Sequence, residues 1–209
     1  MTVLVWTDRD YKTGVDRGIF AVEKWDLSGR TAPSVPWNGL ISVEETSVGG
    51  DVEPAYMDGK NFANVAGNRY FQANVTAFSA PGEFDECNGL TNVVPGFSLD
   101  NQTKKRFLFS YRVMKDVGYE IHLVYNCLAL PSAKEAVSLS EQIDPATLSW
   151  VFAATPVVIG GTKPTAHFVV DSVRCSGADL TALEDRLYGT AIAAPDFPTP
   201  AQLKTIFTT

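Results

Sequence analysis

The stretch KRFLFSYRVMKDVGYEIHLVYN, residues 105–126, indicates the fold class more strongly than any other part of the chain. In both of its halves, apolar and aromatic residues occupy every second position, as they do on the buried face of a β-strand. These residues are Phe107, Phe109, Tyr111 and Val113 in the first half, and Tyr119, Ile121, Leu123 and Tyr125 in the second. Between the halves lies Asp116-Val117-Gly118, where the glycine can adopt the left-handed conformation of a short hairpin loop. The stretch therefore predicts a long antiparallel hairpin.

Other short stretches repeat the same alternation on both sides of this hairpin. Residues 71–77, 148–152 and 165–170 alternate apolar with polar side chains, and residues 3–6, 18–22 and 39–43 are shorter strand candidates. Glycine, proline and asparagine separate most of them. Many short strands with such turn residues indicate a mainly β fold, an antiparallel β-sandwich or barrel.

Helix is predicted only near the C-terminus and in one short turn. In SGADLTALEDRLYG, residues 176–189, leucines recur at helical spacing between a Ser176 N-cap and Gly189 at the C-terminal end. In TPAQLKTIF, residues 199–207, Thr199 is expected to cap a second helix that begins at Pro200 and packs on its own protomer. APGEFDECNG, residues 80–89, is expected to form one or two helical turns.

Composition limits the classes of partner. The chain has 209 residues and a net charge of −7, which fits a single domain and disfavours a protein that grips nucleic acid through clustered Lys and Arg. The only basic cluster, Lys104-Lys105-Arg106, is interpreted as a solvated patch. We expect neither a secretory signal nor a membrane span, because no basic region precedes an apolar stretch and no run of 18 apolar residues occurs.

No pattern of residues predicts catalysis, a cofactor or a metal site. Cys87, Cys127 and Cys175 are too widely spaced for a zinc motif, and no family signature supports a nucleophile at Cys175 with a histidine. The histidines His122 and His167 are expected to be partly buried strand residues. Adjacent carboxylates such as those of residues 44 and 45 point to opposite faces of a strand, so such a pair cannot converge on one substrate atom. We therefore expect no enzyme activity.

A long excursion, VPWNGLISVEETSVGGDVEPAYMDG at residues 35–59, carries a further signal. It resembles the segment that follows the N-terminal arm in major tail tube proteins of long non-contractile-tailed bacteriophages, with a W-x-G turn, a strand, a Gly-containing acidic stretch and a Tyr-x-D/N-G turn. Further matches follow in order as far as about residue 190: FQANVTAFSAPGEFDECNG, VPGFSL, KRFLFSYRVM, GYEIHLVYNCLALPS, LSWVFAATPV, KPTAHFVVDS and LTALEDRLYGT.

This resemblance implies a single tail tube domain. It divides the chain into an N-terminal arm (residues 1–34), an inter-subunit loop (35–60), a β core (61–175), and C-terminal helices and tail (176–209). It implies six protomers in a ring and rings stacked into a hollow tube around a tape measure protein, with tail terminator and distal tail proteins as further partners. DNA would pass through the lumen of this virion component, which would be assembled in the host cytoplasm.

The resemblance also places candidate residues in the excursion. The interface candidates are Trp37, Asn38, Gly39, Gly49, Gly50 and Tyr56, and the acidic candidates for the lumen are Glu44, Glu45, Asp51 and Glu53. Trp37 would be an interface anchor, since aromatic residues concentrate binding energy. The alternative is that Trp37 covers the core of its own protomer. A ring of six would carry a formal charge of 6 × −7 = −42, which would let DNA slide rather than bind.

Two other functions remain open on sequence grounds. A tail terminator or distal tail protein of the same fold would cap or start a tube. A non-enzymatic β-sandwich binding module could use exposed aromatic residues such as Trp6, Trp25 and Trp37, although it would leave the long excursion without a role.

Overall fold

A computed structural model describes residues 11–24, 30–31, 33–50, 52–67, 69–130, 145–159 and 161–208. The strands are β1 (Lys12–Val22), β2 (Val35–Trp37), β3 (Leu40–Gly49), β4 (Val52–Met57), β5 (Lys60–Ala66), β6 (Arg69–Ala77), β7 (Thr91–Val94), β8 (Phe97–Leu99), β9 (Phe107–Lys115), β10 (Tyr119–Leu130), β11 (Leu148–Ala154) and β12 (His167–Asp171). The helices are a 3-10 turn (Gly82–Phe84), α1 (Asp85–Asn88), α2 (Gly177–Tyr188) and α3 (Pro200–Thr208). No described helix has the length and apolar character needed to cross a bilayer.

Among the described residues, eight antiparallel strands form one sheet that wraps into a barrel. Along the sheet the order is β2-β1-β9-β10-β11-β6-β3, and β12 pairs with β10. The two ends of this order meet, because β2 and β3 are joined by the turn at Asn38-Gly39 and both approach β1 around Gly18. The mainly β, antiparallel fold expected from the sequence is confirmed.

The predicted central hairpin is confirmed as β9 and β10, and β10 connects two parts of the sheet. Residues 119–124 of β10 lie between β9 and β12, whereas residues 127–130 pair with β11. The register with β9 shifts between Val124 and Cys127, and Asn126 adopts a φ of 53° at this irregularity. Such a bulge bends a strand and increases its twist. The bend lets one strand belong to both walls of the barrel.

The barrel interior is an aromatic core. Side chains on one face of β9 and β10 meet those of β1, β2, β6, β11 and the 3-10 turn inside it. The largest of these are Phe20, Trp37, Phe84, Phe107, Phe109, Tyr111, Trp150 and Phe152. Their rings contact one another mainly edge-to-face or tilted, with centroids 4.8 to 6.0 Å apart, which are favourable geometries for aromatic pairs.

A second core lies between the outer face of the barrel and the C-terminal helices. Leu108, Ile121 and Leu123 point outward from β9 and β10 and pack with leucines of α2 and α3. The predicted N-cap of α2 is confirmed, because the Asp179 amide donates to Ser176 Oγ. Tyr125 donates its hydroxyl to the Pro198 carbonyl at 2.8 Å, so the C-terminal segment packs on its own protomer, as expected.

The excursion at residues 35–60 is composed mainly of strands, which corrects its assignment as a loop. β2 and β3 belong to the barrel, and β3 pairs with β6 from Leu40↔Ala77 to Gly49↔Arg69. β4 and β5 then continue the same register from Val52↔Ala66 to Met57↔Lys60. Together, β3, β4, β5 and β6 form one long hairpin. Its inner half, β3 and β6, is part of the barrel wall. We call its outer half, β4 and β5 (residues 52–66), the arm. The strand predicted at residues 3–6 and the candidate aromatics Trp6 and Trp25 lie outside the described residues.

One buried carboxyl predicts a pH dependence of stability. Glu23 is 6% exposed, its Oε2 has no hydrogen-bond partner, and burial raises its pKa to about 7 despite the nearby Arg106. The unfolded chain loses this proton near its ordinary value of 4.5, so the stabilisation is present below pH 4.5 and is lost as the pH rises to about 7. We expect Glu23→Gln to raise the free energy of unfolding at pH 8 by about 1–3 kcal/mol.

Urea unfolding at pH 5 and pH 8 checks this prediction. Glu83→Gln, a change at an exposed carboxylate, is the matched control and should leave the pH dependence unchanged. If the free energy of unfolding fell by the same amount from pH 5 to pH 8 in the wild type and in Glu23→Gln, Glu23 would not titrate in this way.

Candidate functional site

The arm exposes large apolar side chains to solvent. Every residue of β4 is exposed, and Val52, Tyr56, Met57 and Phe62 are each between 58 and 73% exposed. Isolated two-stranded hairpins are at best marginally stable in water, and apolar side chains clustered at a surface commonly mark a contact with another protein. The arm therefore has the composition of a docking element.

A second hairpin has the same character. β7 and β8 pair outside the barrel sheet, and all of their residues are exposed. Val93, Val94, Phe97 and Leu99 are its apolar members. The described part of the chain thus has two hairpins outside the barrel sheet with uncovered apolar side chains.

Trp37 lies in the barrel core, which corrects its assignment as an interface anchor. It is 2% exposed, contacts the rings of Phe20 and Phe84, and donates its indole N–H to the Ser79 carbonyl at 2.8 Å. A side chain enclosed in this way has no surface to offer a neighbouring protomer. The alternative stated above, that Trp37 covers its own core, describes its position.

The neighbouring interface candidates occupy the turn between β2 and β3. Asn38 and Gly39 are exposed, and the Ser79 hydroxyl donates to the Asn38 carbonyl at 2.8 Å. Gly39 has a φ of 78°, which favours glycine. These two residues form the surface turn that joins β2 to β3, and their role in an interface stays a prediction.

The glycine pair divides the long hairpin at the base of the arm. Gly49 and Gly50 have φ angles of 79° and 80° between β3 and β4. A Cβ on Gly50 would collide with the Arg69 side chain on the opposite strand. Gly49 ends β3 and is still paired with Arg69, Gly50 lies in the break before β4, and Tyr56 lies beyond both, exposed on the arm.

The candidate lumen acids have different environments. Glu44 and Glu53 are exposed, and Asp51 lies outside the described residues. Glu45 instead accepts a hydrogen bond from the Tyr111 hydroxyl at 2.7 Å and lies 3.2 Å from His122 Nδ1. Its charge is thus directed at side chains of its own barrel, although Glu45 is also exposed, and its role as a lumen charge stays a prediction.

The structure brings the two histidines together at this point. His122 on β10 and His167 on β12 point to the interior, and His122 Nδ1 lies 2.9 Å from His167 Nε2. With Glu45 on β3 they form a cluster in which one ligand atom from each residue lies within 4.8 Å of the others. Sequence reasoning missed the cluster because its members come from three strands separated along the chain. The alternation placed both histidines opposite the apolar face of their strands, and in the structure that opposite face is the barrel interior.

Charge states in the cluster are set by burial and hydrogen bonding. Hydrogen bonding to His122 and then to Tyr111 lowers the pKa of Glu45 to about 2, although burial opposes this shift. Burial lowers the pKa of His167 to about 4, although the Glu45 charge opposes it. At neutral pH the cluster therefore contains a carboxylate and a neutral imidazole.

An open pocket of about 460 Å³ leads to the cluster. It lies between β1 and β3, and its lining includes Lys12, Val15, Val43, Glu45 and Val113. Glu45 alone of the cluster lines this pocket, whereas His122 is 2% exposed, so solvent reaches the cluster at Glu45.

The cysteines have environments that favour the protonated thiol. Cys87 and Cys127 are buried, and burial raises the pKa of Cys87 to about 12. Burial also raises the pKa of Cys175, the candidate considered for a nucleophile. None of the three is poised as a thiolate.

Comparison with known proteins gives only distant structural similarities. No protein-family model matches the chain, and no curated protein is significantly similar to it. Solved structures with some similarity include a sheath-tube complex of an extracellular contractile injection system, PVC, in the extended state (TM-score 0.39, 14% identity, 74% of this chain and 88% of that chain). Others are the PVC sheath/tube terminator (TM-score 0.38, 18% identity, 71% and 96%) and the tube terminating cap of the anti-feeding prophage (TM-score 0.32, 14% identity, 74% and 88%). Scores and identities this low do not establish a shared function.

Proposed function

We propose that this chain is a structural, non-enzymatic subunit that assembles with copies of itself into hexameric rings, which stack into a hollow bacteriophage tail tube. Its proposed partners are further copies of the chain, a tape measure protein, and terminator and distal tail proteins at the tube ends. The resemblance of residues 35–190 to tail tube proteins suggests this role. The observation in the structure that carries the proposal is the exposed apolar arm.

The arm provides a contact that a solitary protomer leaves unused. Val52, Tyr56, Met57 and Phe62 remain in water on a hairpin with few neighbours of its own. Burying apolar surface contributes roughly 25 cal/mol per Å², so covering this arm on an adjacent copy favours association. Its length lets it reach beyond the barrel, to the next protomer or the next ring.

Strand edges provide a second type of contact. In the described part of the chain, β12 is hydrogen-bonded to β10 alone, so its outer edge has no paired strand, and Val169 there is half exposed. Exposed edges pair readily with strands of another chain. An edge contact that closes by rotation forms a ring, whereas an axial contact that does not close extends a tube.

Acidic charge would suit the lumen of such a tube. Glu44 and Glu53 are exposed on the long hairpin, one in the barrel wall and one on the arm. Carboxylates facing DNA act over about 8 Å at physiological salt and oppose its adhesion. Under this proposal DNA passes through without specific binding.

Sedimentation velocity of the purified full-length chain over a range of concentrations tests the proposal. We expect a species of six times the protomer mass and, at higher concentration, a continuous distribution of larger particles. A stable hexamer that never extends would favour a terminator or distal tail protein. A monomer at every concentration would contradict self-assembly and favour a binding module.

A further inference from the structure

We propose that Glu45, His122 and His167 form a binding site for one divalent transition-metal ion, with Zn²⁺ as a suitable occupant. This inference goes beyond the tube proposal and does not depend on it. The three side chains come from β3, β10 and β12, and their ligand atoms converge inside one end of the barrel.

The distances suit a compact coordination sphere. His122 Nδ1 lies 2.9 Å from His167 Nε2 and 3.2 Å from Glu45 Oε1. Ligand atoms in a tetrahedral zinc site, at metal distances of about 2.0–2.2 Å, are about 3.3 Å apart. The ligand atoms of all three residues lie within 4.8 Å of one another, so side-chain rotations that separate the two histidines slightly and draw in the widest pair would bring the three residues onto one ion.

The cluster contains fewer protons than its acceptors could use. His122 Nδ1 has two close polar neighbours, Glu45 Oε1 and His167 Nε2, but one ring nitrogen carries at most one proton. Buried polar groups normally have complete hydrogen bonding. A cation placed between the atoms would engage a lone pair from each residue at once.

Outer contacts are those expected around a metal ligand. His122 is 2% exposed, and its Nε2 has no hydrogen-bond partner but lies 3.5 Å from Glu120 Oε2. With Nδ1 on the ion, the proton would sit on Nε2 and face this carboxylate. Metal-bound histidines commonly donate their second N–H to a carboxylate. Tyr111 orients Glu45 in the same way by donating its hydroxyl to Oε1.

Two histidines and one carboxylate leave at least one coordination position open. The pocket between β1 and β3 reaches Glu45 from solvent, so ions can enter and water can complete the coordination. An ion here would join β3 to β10 and β12 across the barrel. Among the described residues, β3 is hydrogen-bonded within the sheet only to β6. The site would therefore stabilise the barrel at a place that the sheet leaves unlinked.

Titration of the full-length, EDTA-treated protein with Zn²⁺ tests the site. We expect one equivalent to bind with a Kd of about 1 µM or tighter, and Tm to rise by about 5 °C or more when Zn²⁺ exceeds Kd a hundredfold. Co²⁺ should bind with visible absorption bands typical of nitrogen and oxygen ligands, without the charge-transfer band that a thiolate ligand gives.

Single substitutions locate the ion. His167→Gln should weaken Zn²⁺ binding at least about a hundredfold, and Glu45→Gln at least about tenfold, because each removes a ligand. Glu44→Gln alters the adjacent, exposed carboxylate and is the matched control, which should bind like wild type.

Imidazole NMR signals of the wild type give a test without any substitution. The chain has two histidines, and both should shift when one equivalent of Zn²⁺ is added. Absence of stoichiometric binding, or binding that leaves both histidines unshifted, would overturn the proposal. Undiminished binding by folded His167→Gln would overturn it as well.

Discussion

A chain in which residues 50–68 are replaced by Asn-Gly is expected to fold normally and to lose tube formation completely. Gly49 and Arg69 are paired neighbours at the end of β3 and β6, so a two-residue turn can join them, and Asn-Gly suits such a hairpin. The substitution removes Val52, Tyr56 and Phe62 with the rest of the arm and leaves the aromatic core intact. Tm should remain within about 3 °C of the wild type.

Electron microscopy and thermal unfolding on the same samples measure both effects. The matched control is Lys60→Ser, a polar change at an exposed position on the arm, which should still form tubes. Normal tubes from the shortened chain would show that the arm does not join protomers. A shortened chain that is unfolded would show that the arm is part of the stable core.

Deleting the whole of residues 35–59 would be a different experiment. That change removes β2 and β3, and with them the core residue Trp37 and the barrel wall beside β6. The chain should then fail to fold, so loss of tubes would say nothing about assembly. Within this hairpin, only residues 50–68 can be removed without removing a strand of the barrel.

Trp37→Ala is expected to lower the free energy of unfolding by about 3–5 kcal/mol. The indole is enclosed among aromatic rings, including Phe109, Trp150 and Phe152, and also donates a hydrogen bond to the Ser79 carbonyl. Truncation leaves a cavity and an acceptor without its donor, two costs that add to the lost apolar burial. Urea unfolding followed by circular dichroism measures the difference.

Trp37→Phe is the matched control for this truncation. It keeps an aromatic ring in the same place and should cost clearly less than the alanine. If Trp37→Ala instead unfolded at the same urea concentration as wild type, and only assembly were lost, Trp37 would be an interface residue rather than part of the core.

The local pattern of the chain predicts much of the barrel. Period-two alternation identified β9, β10, β6 and β11, and capping residues identified α2, because strand faces and helix ends depend on neighbours close in sequence. The bend in β10 was not predictable, since an asparagine at this place can end a strand as readily as bend it, and the sequence does not show that pairing resumes after Asn126.

The candidate site was less predictable because it depends on contacts distant in sequence. Trp37 has the flanking turn of a surface residue, yet the pairing of β2 with β1 places it among core rings contributed by four other elements: β1, the 3-10 turn, β9 and β11. Glu45 likewise belongs to an acidic, outwardly polar stretch. It meets His122 only because the sheet curls until β3 faces β10 across the barrel. The register of the strands and the closure of the barrel, rather than the local composition, decide where the side chains of Trp37 and Glu45 lie.

Negative-stain micrographs of the unmodified, purified chain at high concentration test the central claim most directly. The account predicts hollow, regularly striated tubes, together with rings of six-fold symmetry seen end-on. Uniform solitary particles at every concentration, with no rings or tubes, would contradict it.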